Sequence, residues 1–217
     1  ALVDRPGPHA RVDVLHVGLG EPAAVDVDLL VAHLDGLALG RDAALDEVLG
    51  RGDEFVERMA AALTTFARAF DPRPITYRTI DFRTNEFAGL RGGDRFEPKE
   101  SNPMIGYRGA LRYTKEPEVF NLELAALKRV WDQGLHNIHV MLPFVRTSDE
   151  LRVCRDLMLQ SGLINDGPEP GPELWVMAEV PSVLFNLDRY AALGVTGVSI
   201  GTNDLTQLLL GADRDSE

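Results

Sequence analysis

The feature that most constrains this chain is the alternation in its second half. The run IHVMLPF (138–144) is apolar almost throughout, and a helical pattern, DELRVCRDLMLQSG (149–162), follows it. The order then repeats: strand LWVMAEV (174–180), helix PSVLFNLDRYAALG (181–194), strand TGVSIG (196–201), and a helical segment from Asp204. Strands without polar alternation cannot leave one face in water, so they belong to parallel sheets covered on both sides. The spacing suits a (β/α)8 barrel or a doubly wound sheet. No GxGxxG opens a helix after the first strand, and that favours the barrel. In a barrel, the groups that do chemistry sit where strands end and loops begin.

The first half is less regular. VDVLHVGL (12–19) reads as a strand, and VDLLVAHLDGLAL (27–39) as a helix giving way to a strand near Gly36. Residues 53–70 form the clearest predicted helix. Phe55, Met59, Leu63, Phe66 and Phe70 recur at helical spacing, Asp53 is the expected N-cap, and Pro72 and Pro74 end it. ITYRTIDF (75–82) and PMIGYRG (103–109) are expected strands flanking a glycine- and charge-rich loop, and 118–133 an expected helix. Residues 1–11 read as a loose leader, and 12–217 as one domain.

Charge narrows the function. A net charge of −12 and a pI near 4.8 argue against nucleic acid or an anionic membrane as the main partner. They leave room for a small anion held by local arginines. No stretch is apolar for the roughly 18 residues of a membrane span, and the N-terminus lacks signal-peptide order. A single cysteine, Cys154, precludes an internal disulfide and suits a cytoplasmic protein. Cys154 falls within a helical pattern and reads as a packed helix residue. His16, His136 and His139 lack metal-cluster spacing and read as structural.

The predicted strand ends carry a consistent set. Arg78, Asp81 and Arg83 close one strand, Arg108 another, Arg146 a third, Glu179 a fourth, and Thr202, Asn203 and Asp204 the last. If the strands are parallel, two carboxylates and several guanidiniums share one mouth. That chemistry suits a divalent cation and a phosphorylated acid, because Mg²⁺ takes few carboxylates plus substrate oxygens and arginine forks onto phosphate. Each piece also has a plain reading. Arg78 could pair with Asp81 or Glu86 at a surface, and Asp204 could cap a helix. Glu179 is harder to set aside, since a carboxylate in an apolar strand must be paired or hold a cation.

GTNDLTQLLLGADRDSE, YRTIDFRTNEFAGLRGG, KESNPMIGYRG, IHVMLPFVRT and VMAEVPS together resemble the C-terminal phosphoenolpyruvate (PEP)-binding barrel of the PEP-utilising enzymes. Within that family they are most similar to the phosphoenolpyruvate synthase (pyruvate, water dikinase) branch. The resemblance is nearly continuous from about residue 70 onward and weak before it, where DGLALGRDA places Arg41 at a family arginine without the usual acidic residue after it. It implies a Mg²⁺-dependent domain for PEP or pyruvate. Glu179 and Asp204 match the metal ligands, and Arg78, Arg108, Asn203 and Arg214 the substrate-binding groups. It implies phosphoryl transfer between pyruvate enolate and a phosphohistidine carrier, with phosphohistidine and ATP-binding domains in the longer enzyme and pairing as a homodimer.

The family's proton-exchanging cysteine, on a Gly-Cys-Gly-like strand, is expected beyond Glu217. No catalytic residue is therefore assigned within the chain. The expectation is a (β/α)8-like barrel truncated before its last strand, a piece or relative of a longer enzyme and inactive alone. Two alternatives stand beside it: a non-catalytic degenerate barrel used for ligand binding or assembly, and a pyruvate-enolate lyase or aldolase of the same barrel superfamily.

Overall fold

A computed structural model describes residues 14–16, 23–24, 43–89, 93–95, 97–167 and 171–213, with side chains from residue 51 onward. The predicted segment 27–39, Arg41 and Arg214 lie outside the described residues, as does the side chain of His16. The strands are β1 (Val14–His16), β2 (Ala23–Ala24), β3 (Ile75–Arg78), β4 (Ile138–Leu142), β5 (Leu174–Ala178) and β6 (Val195–Gly201). The helices are α1 (Ala43–Phe70), α2 (Thr84–Ala88), α3 (Ala110–Lys115), α4 (Pro117–Trp131), α5 (Ser148–Gln160), α6 (Leu187–Ala192) and α7 (Thr202–Leu210). Short 3₁₀ turns occupy Gly93–Arg95, Pro103–Ile105 and Pro181–Phe185.

The strands form one sheet in the order β1-β6-β5-β4-β3-β2. From β2 to β6 every pairing is parallel and joins consecutive strands. A doubly wound sheet reverses its strand order part-way; this one does not. β1 lies antiparallel on the β6 edge, Val14 opposite Gly201 and His16 opposite Ser199. The fold class is α/β, as the apolar strands require. Among the described residues the sheet is open, with β1 and β2 at its edges, so a closed eight-stranded barrel is not what they show.

Side-chain alternation divides the sheet into two faces. Ile75, Tyr77, Ile138, Val140, Leu142, Leu174, Val176 and Ala178 join the main core with Phe55, Met59, Leu63, Phe120, Leu124 and Leu127 from α1 and α4. The alternate residues Met141, Trp175 and Met177 form a second, smaller buried cluster. Glu179 continues the parity of Trp175 and Met177, so it emerges from that second face just past the end of β5.

Two local expectations are corrected. α1 begins at Ala43, not at Asp53, which is an exposed residue inside the helix and not its N-cap. Gly52 lies inside the helix, buried where α1 meets α4; a Cβ there would be 3.1 Å from Leu122 Cδ2. Close helix contact thus overrides glycine's weak propensity. Residues 103–109 form no strand: they make a 3₁₀ turn and a loop, with Gly109 at φ 57 leading into α3. That loop is held by side chains, which no periodicity can reveal.

Candidate functional site

The loops after β3, β4 and β5 and the start of α7 bring an acidic and basic cluster together. Asp81 lies three residues past β3 and Glu179 directly follows β5. Asp204 sits in the first turn of α7, whose N-cap is Gly201, so it does not cap the helix. All three surround Arg108, which is 5% exposed. Its Nε donates to Asp81 Oδ1 at 3.1 Å and its Nη2 to Asp81 Oδ2 at 2.5 Å. The same Nη2 reaches Asp204 Oδ2 at 3.4 Å, and Nη1 donates to the Met104 carbonyl at 3.1 Å. Burial disfavours the Arg108 charge, but the pull of Asp81, Asp204 and Glu179 overrides it and the proton is held more tightly than usual.

Glu179 is 3% exposed. Its Oε2 accepts the Phe144 backbone N–H at 2.9 Å. Burial pushes its carboxyl up to about 8, the negative charges of Asp81 and Asp204 add to that, and Arg108 and the Phe144 N–H oppose it. Room for this side chain depends on Gly201, where a Cβ would stand 2.4 Å from Glu179 Cγ. The Phe144 N–H is aimed by an unusual backbone: φ is 50 at this bulky residue. Such a conformation costs about 1–3 kcal/mol and persists only where surrounding contacts enforce it.

The other predicted site residues separate into groups. Arg78 closes β3, half-buried, on the parity opposite Tyr77. Asn203 precedes Asp204 in the first turn of α7 and is half-buried. Arg83 serves its own loop, with Nη2 on Glu86 Oε1 at 2.7 Å. Asp81 is bound by Arg108, and Glu86 by Arg83. Cys154 is buried in α5 and burial pushes its thiol up to about 12, so it is no nucleophile at neutral pH. His136 stacks on Trp131, and His139 Nδ1 accepts the Glu173 N–H at 3.1 Å; both act structurally.

Reading the sequence overlooked the residues that hold this mouth in shape. Glu100 accepts the Tyr107 N–H at 3.0 and 3.1 Å and the Thr84 hydroxyl at 2.8 Å. Arg112 forks onto Glu97 at 2.9 and 2.7 Å while lying over the rings of Phe87 and Tyr107. Buried Glu123 accepts from Tyr77 Oη at 2.6 Å and from the Ile80 N–H at 3.0 Å. One signal was visible: Glu123 occurs among apolar residues in a helical pattern, as Glu179 does in a strand.

Residues 25–217 match the family of the PEP-utilising enzyme, PEP-binding domain. The chain belongs to that family. Similar relatives of this family member include a protein named probable phosphoenolpyruvate synthase from Staphylothermus marinus, 42% identical over 93% of this chain and 25% of the relative. Proteins named phosphoenolpyruvate synthase from Aeropyrum pernix and a Synechocystis species are 46% and 48% identical, over 77% and 75% of this chain and 20% of each relative. The chain thus spans a quarter or less of the length of these relatives.

A divalent cation can be tested against the residues present. Three acids face one buried guanidinium here, and burial, then the charges of Asp81 and Asp204, raise the Glu179 carboxyl. A hard, oxygen-seeking cation fits that donor set. Among the described residues, no three His, Cys, Asp or Glu side chains gather as a ready-made metal cage.

Proposed function

We propose that this chain is the PEP- and pyruvate-binding domain of a phosphoenolpyruvate synthase-like phosphotransferase. The observation that supports it most is the buried cluster of Glu179, Asp204, Asp81 and Arg108 at the strand ends of a family member. A scaffold has no need for such a cluster, because buried charge without a partner costs stability. In this reading residues 12–217 form one barrel-derived domain, with residues 1–11 as a leader.

Glu179 and Asp204 would hold Mg²⁺, which when bound supplies positive charge to enolate and phosphate oxygens. Arg78, Arg108, Asn203 and Arg214 would take the phosphate and carboxylate. Arg108 already has Asp81 and Asp204 on its Nε and Nη2 edge, so it is oriented before any ligand arrives. In the longer enzyme the reaction is ATP + pyruvate + water to AMP + PEP + phosphate. The phosphoryl group leaves a phosphohistidine for the enolate oxygen. The proton at the methylene carbon is handled by a residue outside the set assigned here. We also propose a cytoplasmic location and a homodimer. The first agrees with the finding that no described helix is long and apolar enough to cross a membrane. The second agrees with the exposure of Leu184, Phe185, Leu187, Leu209 and Leu210, which light scattering against concentration would test.

Calorimetry with PEP, with and without Mg²⁺, tests the central claim. Binding that needs the cation and is lost in Glu179→Gln and Asp204→Asn is expected. Absence of any cation-dependent heat from the parent chain would sink the reading. Turnover by the chain alone is expected to be negligible.

A further inference from the structure

The loop after β4, residues 143–146, touches the acidic and the basic parts of the cluster at once. Its backbone N–H at Phe144 binds Glu179. The Phe144 ring lies under two guanidiniums, with Arg108 Cζ 4.2 Å and Arg146 Cζ 4.6 Å from its centroid. Arg146 in turn donates to three backbone carbonyls of the loop that carries Arg108. Its Nη2 reaches the Gly106 carbonyl at 2.5 Å and the Ile105 carbonyl at 3.2 Å, and its Nη1 the Arg108 carbonyl at 3.3 Å. Arg146 is itself tied down: its N–H donates to Glu150 Oε2 at 2.9 Å, and its carbonyl accepts from Ser182 Oγ at 2.7 Å.

Backbone fit closes the arrangement. The Ala110 N–H donates to the Pro143 carbonyl at 3.1 Å. Gly109, at φ 57, passes so close that a Cβ would stand 2.7 Å from both Phe144 Cβ and the Pro143 oxygen. The two loops therefore interlock through one glycine and one phenylalanine, both with positive φ. Like-charged guanidiniums on one ring would repel in isolation. Here the ring's negative face and the neighbouring acids offset that.

The geometry points to Phe144 and Arg146 as positioning residues that hold the Arg108 guanidinium against Glu179 and Asp204 ready for a phosphorylated or carboxylated ligand. Neither is assigned a contact with substrate. Phe144 fixes the plane of the Arg108 head group through its ring, and Arg146 fixes the backbone from which Arg108 projects. The functional consequence rests on the PEP-binding reading above; the physical coupling does not.

The test uses the full chain with isotope-labelled arginine, the Arg108 Nε–H signal being identified by its absence in Arg108→Lys. The ring of Phe144 should shield that signal. Phe144→Leu is expected to remove the shielding and to weaken Mg²⁺-dependent PEP binding about tenfold. Phe144→Tyr, which keeps the ring, should restore both. Arg146→Lys keeps the charge but loses the fork, and should weaken PEP binding by about fivefold with the signal broadened. If Phe144→Leu lowers Tm yet leaves the Arg108 signal and the PEP affinity unchanged, the pair is merely structural and the proposal fails. If the parent chain gives no PEP heat while the Arg108 signal still responds to Phe144→Leu, the clamp stands and the PEP reading falls.

Discussion

Arg108 and Arg112 lie one helical turn apart in sequence, and both are buried, yet their surroundings differ in kind. Arg112 has a closed environment. Glu97 balances its charge through two hydrogen bonds, and two aromatic rings cover it. Arg108 stands in an open account of charge, with Asp81, Asp204 and Glu179 around it. The same contrast separates two buried carboxylates. Glu123 meets two neutral donors in the core, both on Oε2, and Glu179 meets charges at the strand ends. Burial of an ionisable group therefore does not mark function. An imbalance of charge that a ligand could complete is the better sign.

The contrast breaks first at the closed pair. Arg112→Ala leaves Glu97 buried and unpaired, and urea unfolding should show a loss of about 3–5 kcal/mol. The double variant Arg112→Met with Glu97→Gln should recover most of it, because a closed pair is replaceable by neutral groups of similar size. If the single variant unfolds no more easily than the parent chain, Arg112 is no structural clamp.

Glu123 gives the next largest effect, through pH. Burial raises its carboxyl from 4.5 to about 7, against the Tyr77 and Ile80 hydrogen bonds. The folded chain keeps this proton in a window where the unfolded chain has released it. Folding then takes up a proton, so stability falls as pH rises from about 4.5 to about 7. The loss across that window should be on the order of 2–3 kcal/mol. Glu123→Gln should flatten that part of the unfolding profile; an unchanged slope would assign the dependence elsewhere.

Glu179→Gln sharpens the comparison from the other side. In a chelating buffer at neutral pH it should raise unfolding stability by about 1–2 kcal/mol, since the buried carboxyl, pushed up to about 8, must take up a proton on folding and the amide need not. The same change should abolish cation-dependent PEP binding. A loss of both stability and binding would make Glu179 an ordinary structural carboxylate. The smallest effect is expected at Thr147, whose hydroxyl accepts the Glu150 N–H at 3.1 Å as the N-cap of α5. Thr147→Ala should cost about 1 kcal/mol in thermal unfolding, with PEP affinity within a factor of about two of the parent chain.

Much of the architecture was legible because its signals are local. The strands IHVML and LWVMA lack polar alternation, and that alone predicts their place in a covered parallel sheet. The positions of Glu179 just past a strand and Asp204 in the first turn of a helix followed from where those runs stop, whereas Arg108 lies in a loop and not at the strand end expected for it. What was not legible has one cause. Arg108 meets Asp81 across 27 residues and Asp204 across 96, and no pattern in the intervening chain encodes those meetings. The same holds for Gly52, whose place inside α1 depends on Leu122 of another helix, and for the loop 103–109, which side chains from elsewhere hold in place.

By itself, then, the amino-acid order determined the strands and helices of the second half, their succession, and the stock of acids and guanidines offered around them, since periodicity and residue type act over a few neighbours. Only the tertiary structure decided which acid each guanidine meets, that Glu123 faces neutral donors while Glu179 faces charges, and that Phe144 adopts a left-handed backbone to bind Glu179. Those outcomes depend on burial and on contacts between distant segments, and the free energy of a charge is set by its surroundings in space.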